Sequence, residues 1–186
     1  RRVTKIGPQN LMQISPTGFV ERQIEQLIHV PALRGNPVRL YRAVAVGSEF
    51  PGSFPVYVAS VIKHWQRNKP TTLKKLSATL EKLGLTCRIE AKPKSETEVE
   101  LYVNRLPHLV KGHAKDLISI ADVGFGVSQV LPVIVALLTA KPDQIVYIEE
   151  PEIHLHPRAQ YELASILTES ANRGVKIIVE THSSLL

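Results

Sequence analysis

Cysteine is nearly absent from this 186-residue chain, in which Cys87 stands alone. One cysteine closes no internal disulfide, which excludes a disulfide-stapled scaffold and fits a reducing, cytoplasmic setting. Its expected place is as a small apolar residue buried in a strand. Aromatic residues are also few, at 5%, and they are not interleaved with the basic residues as a base-stacking surface requires. No apolar run reaches the length of a membrane span. The longest, residues 127–140, is interrupted by Pro132 and reads as a buried helix, so no membrane partner is expected. No basic-then-apolar leader opens the chain, so secretion is not expected. Nor does Gly-x-x-x-x-Gly-Lys-Ser/Thr occur anywhere, which leaves the chain without a phosphate loop of that wording. It opens on Arg1, stops straight after an apolar strand pattern, and reads as a fragment.

What remains is ordinary globular material, 44% hydrophobic and 22% charged, enough for one domain with a real core. The charge is unevenly placed. Residues 1–115 hold 19 Lys and Arg against 8 acids, a balance of +11, while residues 116–186 hold 4 against 9, a balance of −5. A basic part joined to an acidic one points to a polyanion such as DNA as a partner for the first.

Residues 1–18 read as irregular. Phe19, Ile24, Leu27 and Ile28 then recur at helical spacing, and Arg34-Gly35-Asn36-Pro37 forms turns in which Arg34 is expected to be exposed. Val58, Val61, Ile62 and Trp65 line one helix face. Leu73, Leu76, Leu80 and Leu83 line another, capped by Thr71 or Thr72 and stopped at Gly84. The period then changes to that of strands. Val99, Leu101 and Val103 alternate with Glu98, Glu100 and Tyr102, with residues 85–91 as the antiparallel neighbour. From Ile118 the order is strand, Gly-rich turn, helix, strand, helix, strand, which predicts βαβ units and a parallel sheet. Residues 144–148 and 175–179 each carry a continuous apolar run, Ile145 to Ile148 and Ile177 to Val179, and read as strands covered on both faces. The helix between them should start at Pro157 and stop at Gly174.

The residues suited to chemistry lie in this last third. Ile145-Val146-Tyr147-Ile148-Glu149-Glu150-Pro151 is a buried strand delivering two carboxylates at its C-terminal end, where open α/β sheets bind ligands. The first carboxylate can hold Mg²⁺, and the second can orient or deprotonate an attacking water. Ile177-Ile178-Val179 delivers Glu180-Thr181-His182-Ser183 at the same end, where an imidazole can meet a terminal phosphate. Upstream, the turn Asp122 to Gln129 contains Gly124, Gly126 and Ser128 at the start of an apolar helix, an anion-binding arrangement of backbone N–H groups. A zinc reading of Glu152, His154, His156 and His182 is the competing account of those residues.

Taken in this order, the motifs resemble the C-terminal half of an ABC-type ATPase head: signature loop, Walker B strand, D-loop and H-loop. The wording of residues 122–132, Glu149 to Pro157 and Val179 to Ser183 is similar to the predicted bacterial ATPases allied to the overcoming-lysogenization-defect, RecF and SMC-like proteins. The resemblance is specific over residues 118–186, and His29 to Arg34 is similar to a turn that many of these proteins carry. It implies an α/β P-loop NTPase fold of which this chain is the C-terminal portion with a parallel sheet. Residues 116–186 would be the ATPase core and residues 1–115 a small basic subdomain of helices and a β-hairpin. It implies ATP and Mg²⁺ as cofactors and a head-to-tail homodimer with two nucleotides between the heads. By the same resemblance Glu149 takes the metal position, Glu150 that of the catalytic base, and His182 that of the H-loop histidine. Glu152 to Pro157 would form the D-loop, placing His154 by the nucleotide. Gly124, Gly126, Ser128 and Gln129 would reach a partner's γ-phosphate, in a process such as DNA repair or phage defence. Three departures accompany it: the missing phosphate loop, Glu149 where Asp is usual, and Gly126 and Ser128 in exchanged order relative to Gln129. The rivals are a DNA-binding or scaffold module without hydrolysis, and a metal-dependent nuclease using Glu149, Glu150 and the histidines.

Overall fold

The computed structural model describes residues 16–108 and 116–186. The expectation for residues 1–15 therefore lies outside the described residues, while Pro16 to Gly18 open a helix rather than a loop. The helices are α1 (Pro16–Glu25), α2 (Val58–Asn68), α3 (Pro70–Lys82), α4 (Phe125–Thr139) and α5 (Pro157–Asn172). The strands are β1 (Ile28–Val30), β2 (Tyr41–Arg42), β3 (Ile89–Pro93), β4 (Glu98–Asn104), β5 (Leu117–Ser119), β6 (Ile145–Glu149) and β7 (Lys176–Glu180).

Two sheets result. The first is parallel, in the order β1-β6-β7, with Ile28 beside Val146 and Val146 beside Ile177. The second is antiparallel, in the order β2-β4-β3, with β5 also paired to β4. Strand β4 forms where the alternating pattern places it, and its antiparallel neighbour β3 spans Ile89–Pro93 rather than residues 85–91. Two strands fall elsewhere than the sequence predicts. Ile28 leaves the α1 pattern and opens β1, because backbone pairing with β6 outweighs a helical period in three residues. The strand at Ile118 joins the antiparallel sheet instead of the parallel one. The two sheets are therefore interleaved along the chain.

Helix α4 is the centre of the core. It is apolar on every side, with Val130, Leu131, Val133, Ile134, Val135, Ala136 and Leu137 all at most 2% exposed, as befits a helix packed all round. Pro132 sits inside it without ending it. Around it pack α2, α3, α5, β1 and β6. Helix α2 turns Val58, Val61, Ile62 and Trp65 inward, and α3 turns in Leu76 and Leu80. The expected threonine cap of α3 is replaced by Lys69, with Pro70 at the first turn. Gln66 fastens α2 to β3, its amide group accepting from the Ala91 N–H at 3.0 Å and donating to the Ala91 carbonyl at 3.3 Å. Helix α5 stops before Gly174, whose φ of 88° suits glycine.

The parallel sheet departs from expectation in one respect. Val146 and Ile148 are fully buried against the helices, but the other face is open: Ile178 is 54% exposed, and Ile145 and Tyr147 are half-buried. A strand with side chains of period 2 shows its faces separately, and here the helices cover one.

Candidate functional site

The alternation of β6 places Glu149 on the open face, in line with Tyr147. From the neighbouring β1, His29 lies opposite Tyr147 in register and stacks on its ring, with centroids 5.2 Å apart and planes 9° apart. That stack directs the imidazole to Glu149. Its Nε2 lies 2.8 Å from the Glu149 Oε1, and the Ala32 N–H donates to Oε2 at 3.0 Å. The Ala32 backbone donor, and after it His29, hold the Glu149 carboxyl below its ordinary range, against a smaller opposing effect of burial. Glu149 is thus an oriented carboxylate.

The chain turns sharply after it. Glu150 has φ of 42°, in the left-handed region where a side chain costs energy. Two contacts fix this turn: the Glu150 N–H donates to the Glu180 carbonyl at 2.7 Å, and Arg34 holds the other side. Its Nη2 donates to the Glu149 carbonyl at 2.5 Å and to the Glu150 carbonyl at 3.1 Å. Arg34 is therefore not the exposed turn arginine that the sequence suggests. Burial lowers its pKa to about 10, opposed by the carboxylates of Glu152, Glu150 and Glu149.

At the end of β7 the chain brings His182 to the same place. Its Nε2 is 3.6 Å from the Glu150 Oε1, and its side chain is 82% exposed. Glu150, Glu149 and His182 are thus brought together by adjacent parallel strands. Glu152, only 9% exposed, faces the backbone beneath His182. Its Oε1 accepts from the Thr181 hydroxyl at 2.6 Å, the His182 N–H at 3.0 Å and the Ser183 N–H at 3.1 Å. Burial pushes the Glu152 carboxyl up, but the Thr181 hydroxyl and the surrounding N–H donors together outweigh it and hold it below its ordinary range.

The Gly-rich turn lies apart from the acid pair and touches the segment after it. Gly124 caps α4 and is exposed. Gly126 lies in the first turn, where a Cβ would meet the Leu85 side chain at 3.3 Å and the His154 carbonyl at 3.6 Å. The His154 ring is exposed and packs on Phe125 at 5.6 Å. Two expected phosphate contacts are otherwise engaged. The Ser128 hydroxyl donates to the Phe125 carbonyl at 3.0 Å. Gln129 is buried, and its amide donates to the Gly35 carbonyl at 2.8 Å. The turn therefore presents backbone N–H groups at its tip, with these two side chains turned inward. The zinc arrangement does not form: His156 caps α5 by accepting from the Arg158 N–H. Among the described residues no three of His, Cys, Asp and Glu are grouped to hold a metal ion.

Sequence reasoning missed His29, Arg34 and the inward role of Glu152. The turn His29 to Arg34 was the available signal, since it contains both an imidazole and a guanidinium next to an apolar strand.

Residues 17–186 match the family described as "AAA domain, putative AbiEii toxin, Type IV TA system". No curated protein matches the chain. Among solved structures it is similar to the SmcHead bound to the C-winged helix domain of ScpA, at 15% identity and a TM-score of 0.47, over 69% of this chain and 41% of that one. It therefore spans about two fifths of that structure's length. A second similar structure, from work on ATP-driven dimerization and DNA-stimulated activation of SMC ATPases, has 16% identity and a TM-score of 0.48, over 66% of this chain and 74% of that one. The family match and the parallel sheet backed by helices make this an α/β fold of the P-loop NTPase kind.

Proposed function

The chain belongs to this AAA-domain family, and from that membership we propose that it binds ATP and hydrolyses it with Mg²⁺ at the interface of a head-to-tail homodimer. The observation that carries the reading is the meeting of Glu150 and His182, 3.6 Å apart, beside an oriented Glu149 at the C-terminal end of β6 and β7. The Glu150 carboxylate takes a proton from the attacking water, and the exposed His182 ring meets the γ-phosphate. Glu149 fits a cation: its carboxyl is held ionised, and each oxygen keeps a lone pair beyond its one hydrogen bond. Mg²⁺ bound there would neutralise phosphate charge. The longer side chain of Glu149, compared with Asp, is steadied at both oxygens.

The tip of the Gly-rich turn forms no hydrogen bond to the acid pair among the described residues, and it faces outward. This suits a turn serving the nucleotide of a partner copy, with the N–H groups of Gly124 and Gly126, which have no partner within the helix, as donors and His154 beside them. The excess of Lys and Arg in residues 1–115 supports DNA as the macromolecule on which the cycle acts, in repair or defence, within the cytoplasm. No described helix is long and apolar enough to cross a membrane.

The test is Glu150→Gln in the full-length protein. ATP turnover should fall by about 10²-fold or more, the usual contribution of a general base, while ATP binding persists. Turnover equal to the parent's would remove Glu150 from the chemistry and with it the reading of the site.

A further inference from the structure

Glu152 takes no part in the hydrolysis described above, yet it is the most buried of the three acids in this segment and the most heavily hydrogen-bonded. Burying a carboxylate costs energy unless donors replace water, and three donors on a single oxygen do so here. Those donors come from consecutive residues, Thr181, His182 and Ser183. The backbone there is therefore wrapped round one anion, and its shape depends on that anion.

The rest of the turn is tied down as well. The Ser183 N–H also donates to the Thr181 hydroxyl oxygen at 3.0 Å, and the Ser183 hydroxyl donates to Gln160 at 2.7 Å. Gln160 in turn donates to the Leu155 carbonyl at 2.9 Å. The His182 ring, by contrast, is largely exposed and its recorded partner is Glu150. An exposed side chain has a defined place only if its backbone has one. On the far side, the Glu152 Oε2 is buried without a hydrogen-bond partner, as are Nε and Nη1 of Arg34. Of the carboxylates acting on Arg34, that of Glu152 acts most strongly. Separately, the Arg34 Nη2 fixes the Glu149 and Glu150 carbonyls.

We propose that Glu152 is a positioning residue: it holds the Thr181–Ser183 turn so that the His182 ring stands at Glu150. The catalytic consequence rests on the reading of Glu150 and His182 given above. The structural part does not.

The experiment uses Glu152→Ala and Glu152→Gln in the full-length protein, with two readouts. Gln keeps a carbonyl oxygen that can accept from the turn; Ala keeps none. Amide exchange at His182 and Ser183 should accelerate by about 10-fold or more in Glu152→Ala, as local opening becomes easier, and stay near the parent's rate in Glu152→Gln. In parallel, kcat for ATP should fall by about 10²-fold in Glu152→Ala, the scale of a misplaced catalytic group, with KM within about twofold and most of kcat restored by Gln. Unchanged exchange in Glu152→Ala would overturn the proposal, and so would full kcat with a loosened turn. Equal loss of kcat in Ala and Gln, with the turn intact in Gln, would also overturn it by making charge the requirement. If Glu150→Gln turns over ATP like the parent, the catalytic reading fails by itself, and the exchange data still decide whether Glu152 sets the turn.

Discussion

Glu149 and Glu152 are both carboxylates held ionised, but by different surroundings. Glu149 stands at the open face between His29 and the Ala32 N–H, whereas Glu152 is enclosed by a turn that folds around it. The second arrangement has a consequence for stability. The folded-state pKa of Glu152 is below the 4.5 of the unconstrained group. Its contribution is therefore fully present above about pH 4.5 and is lost as pH falls through the lower folded value. Urea midpoints measured from pH 6 downward should fall less steeply in Glu152→Gln than in the parent, because Gln does not titrate. Parallel slopes in the two proteins would show that Glu152 does not stabilise the fold through its charge. Arg34 carries a second expectation at this scale. Arg34→Met removes both bonds to the carbonyls that hold the left-handed Glu150, and should cost about 1–3 kcal/mol of unfolding free energy. A loss below about 0.5 kcal/mol, the ordinary surface range, would mean the turn holds without it. The acid pair and His182 were legible in the sequence because each follows an apolar strand. His29 and Arg34 were not, because they lie about 115 residues earlier in the chain and only strand pairing brings them to Glu149.

Elements were legible where period and terminators agreed. Helix α5 begins at Pro157 and ends before Gly174, and α4 runs through Pro132 as a buried helix. The three-residue β1 was not legible, since its side chains continue the helical spacing of α1 and only β6 makes it a strand. The Gly-rich turn was found by its composition, but the use of its glycines was not, because that depends on neighbours from other elements. Gly124 caps α4 at the exposed tip. At Gly126 a Cβ would meet the Leu85 side chain at 3.3 Å and the His154 carbonyl at 3.6 Å. A methyl group at Gly126 would meet the flexible end of Leu85, and alanine favours a helix over glycine by about 0.5–1 kcal/mol. Gly126→Ala should therefore leave the urea midpoint nearly unchanged. Gly126→Val brings branched bulk against the same carbonyl and should destabilise by about 1–3 kcal/mol, as overpacking does. If valine is tolerated as well as alanine, the helix is not held against the Glu152–Pro157 segment, and the contact between turn and segment is loose.

The charge profile divides the chain near residue 115, but its core does not divide there. Phe54, Trp65, Leu76 and Leu101 from the basic part belong to one buried cluster with Val146, Ile148 and Leu163 from the acidic part. Strand β1 lies before the division and pairs with β6, while β5 lies after it and pairs with β4. Composition reports surface charge, and a core is built from contacts that charge does not mark. Such interleaving couples the two sheets: separating β1 from β6 opens the parallel sheet, and α4, packed on β1 and β6, is joined to the antiparallel sheet through α2. The chain should therefore unfold as one cooperative unit, with coincident transitions by independent probes. Trp65, the single tryptophan, is 4% exposed and reports on α2 and the antiparallel sheet by its fluorescence. Amide exchange at Val146 and Ile148 reports on the parallel sheet. Both should give the same urea midpoint, while the amides of β7, at the edge of the described parallel sheet with Ile178 exposed, exchange earlier by local opening. Loss of protection at Val146 and Ile148 while Trp65 keeps its native emission would show two units, and the division by charge would then also be a division in folding.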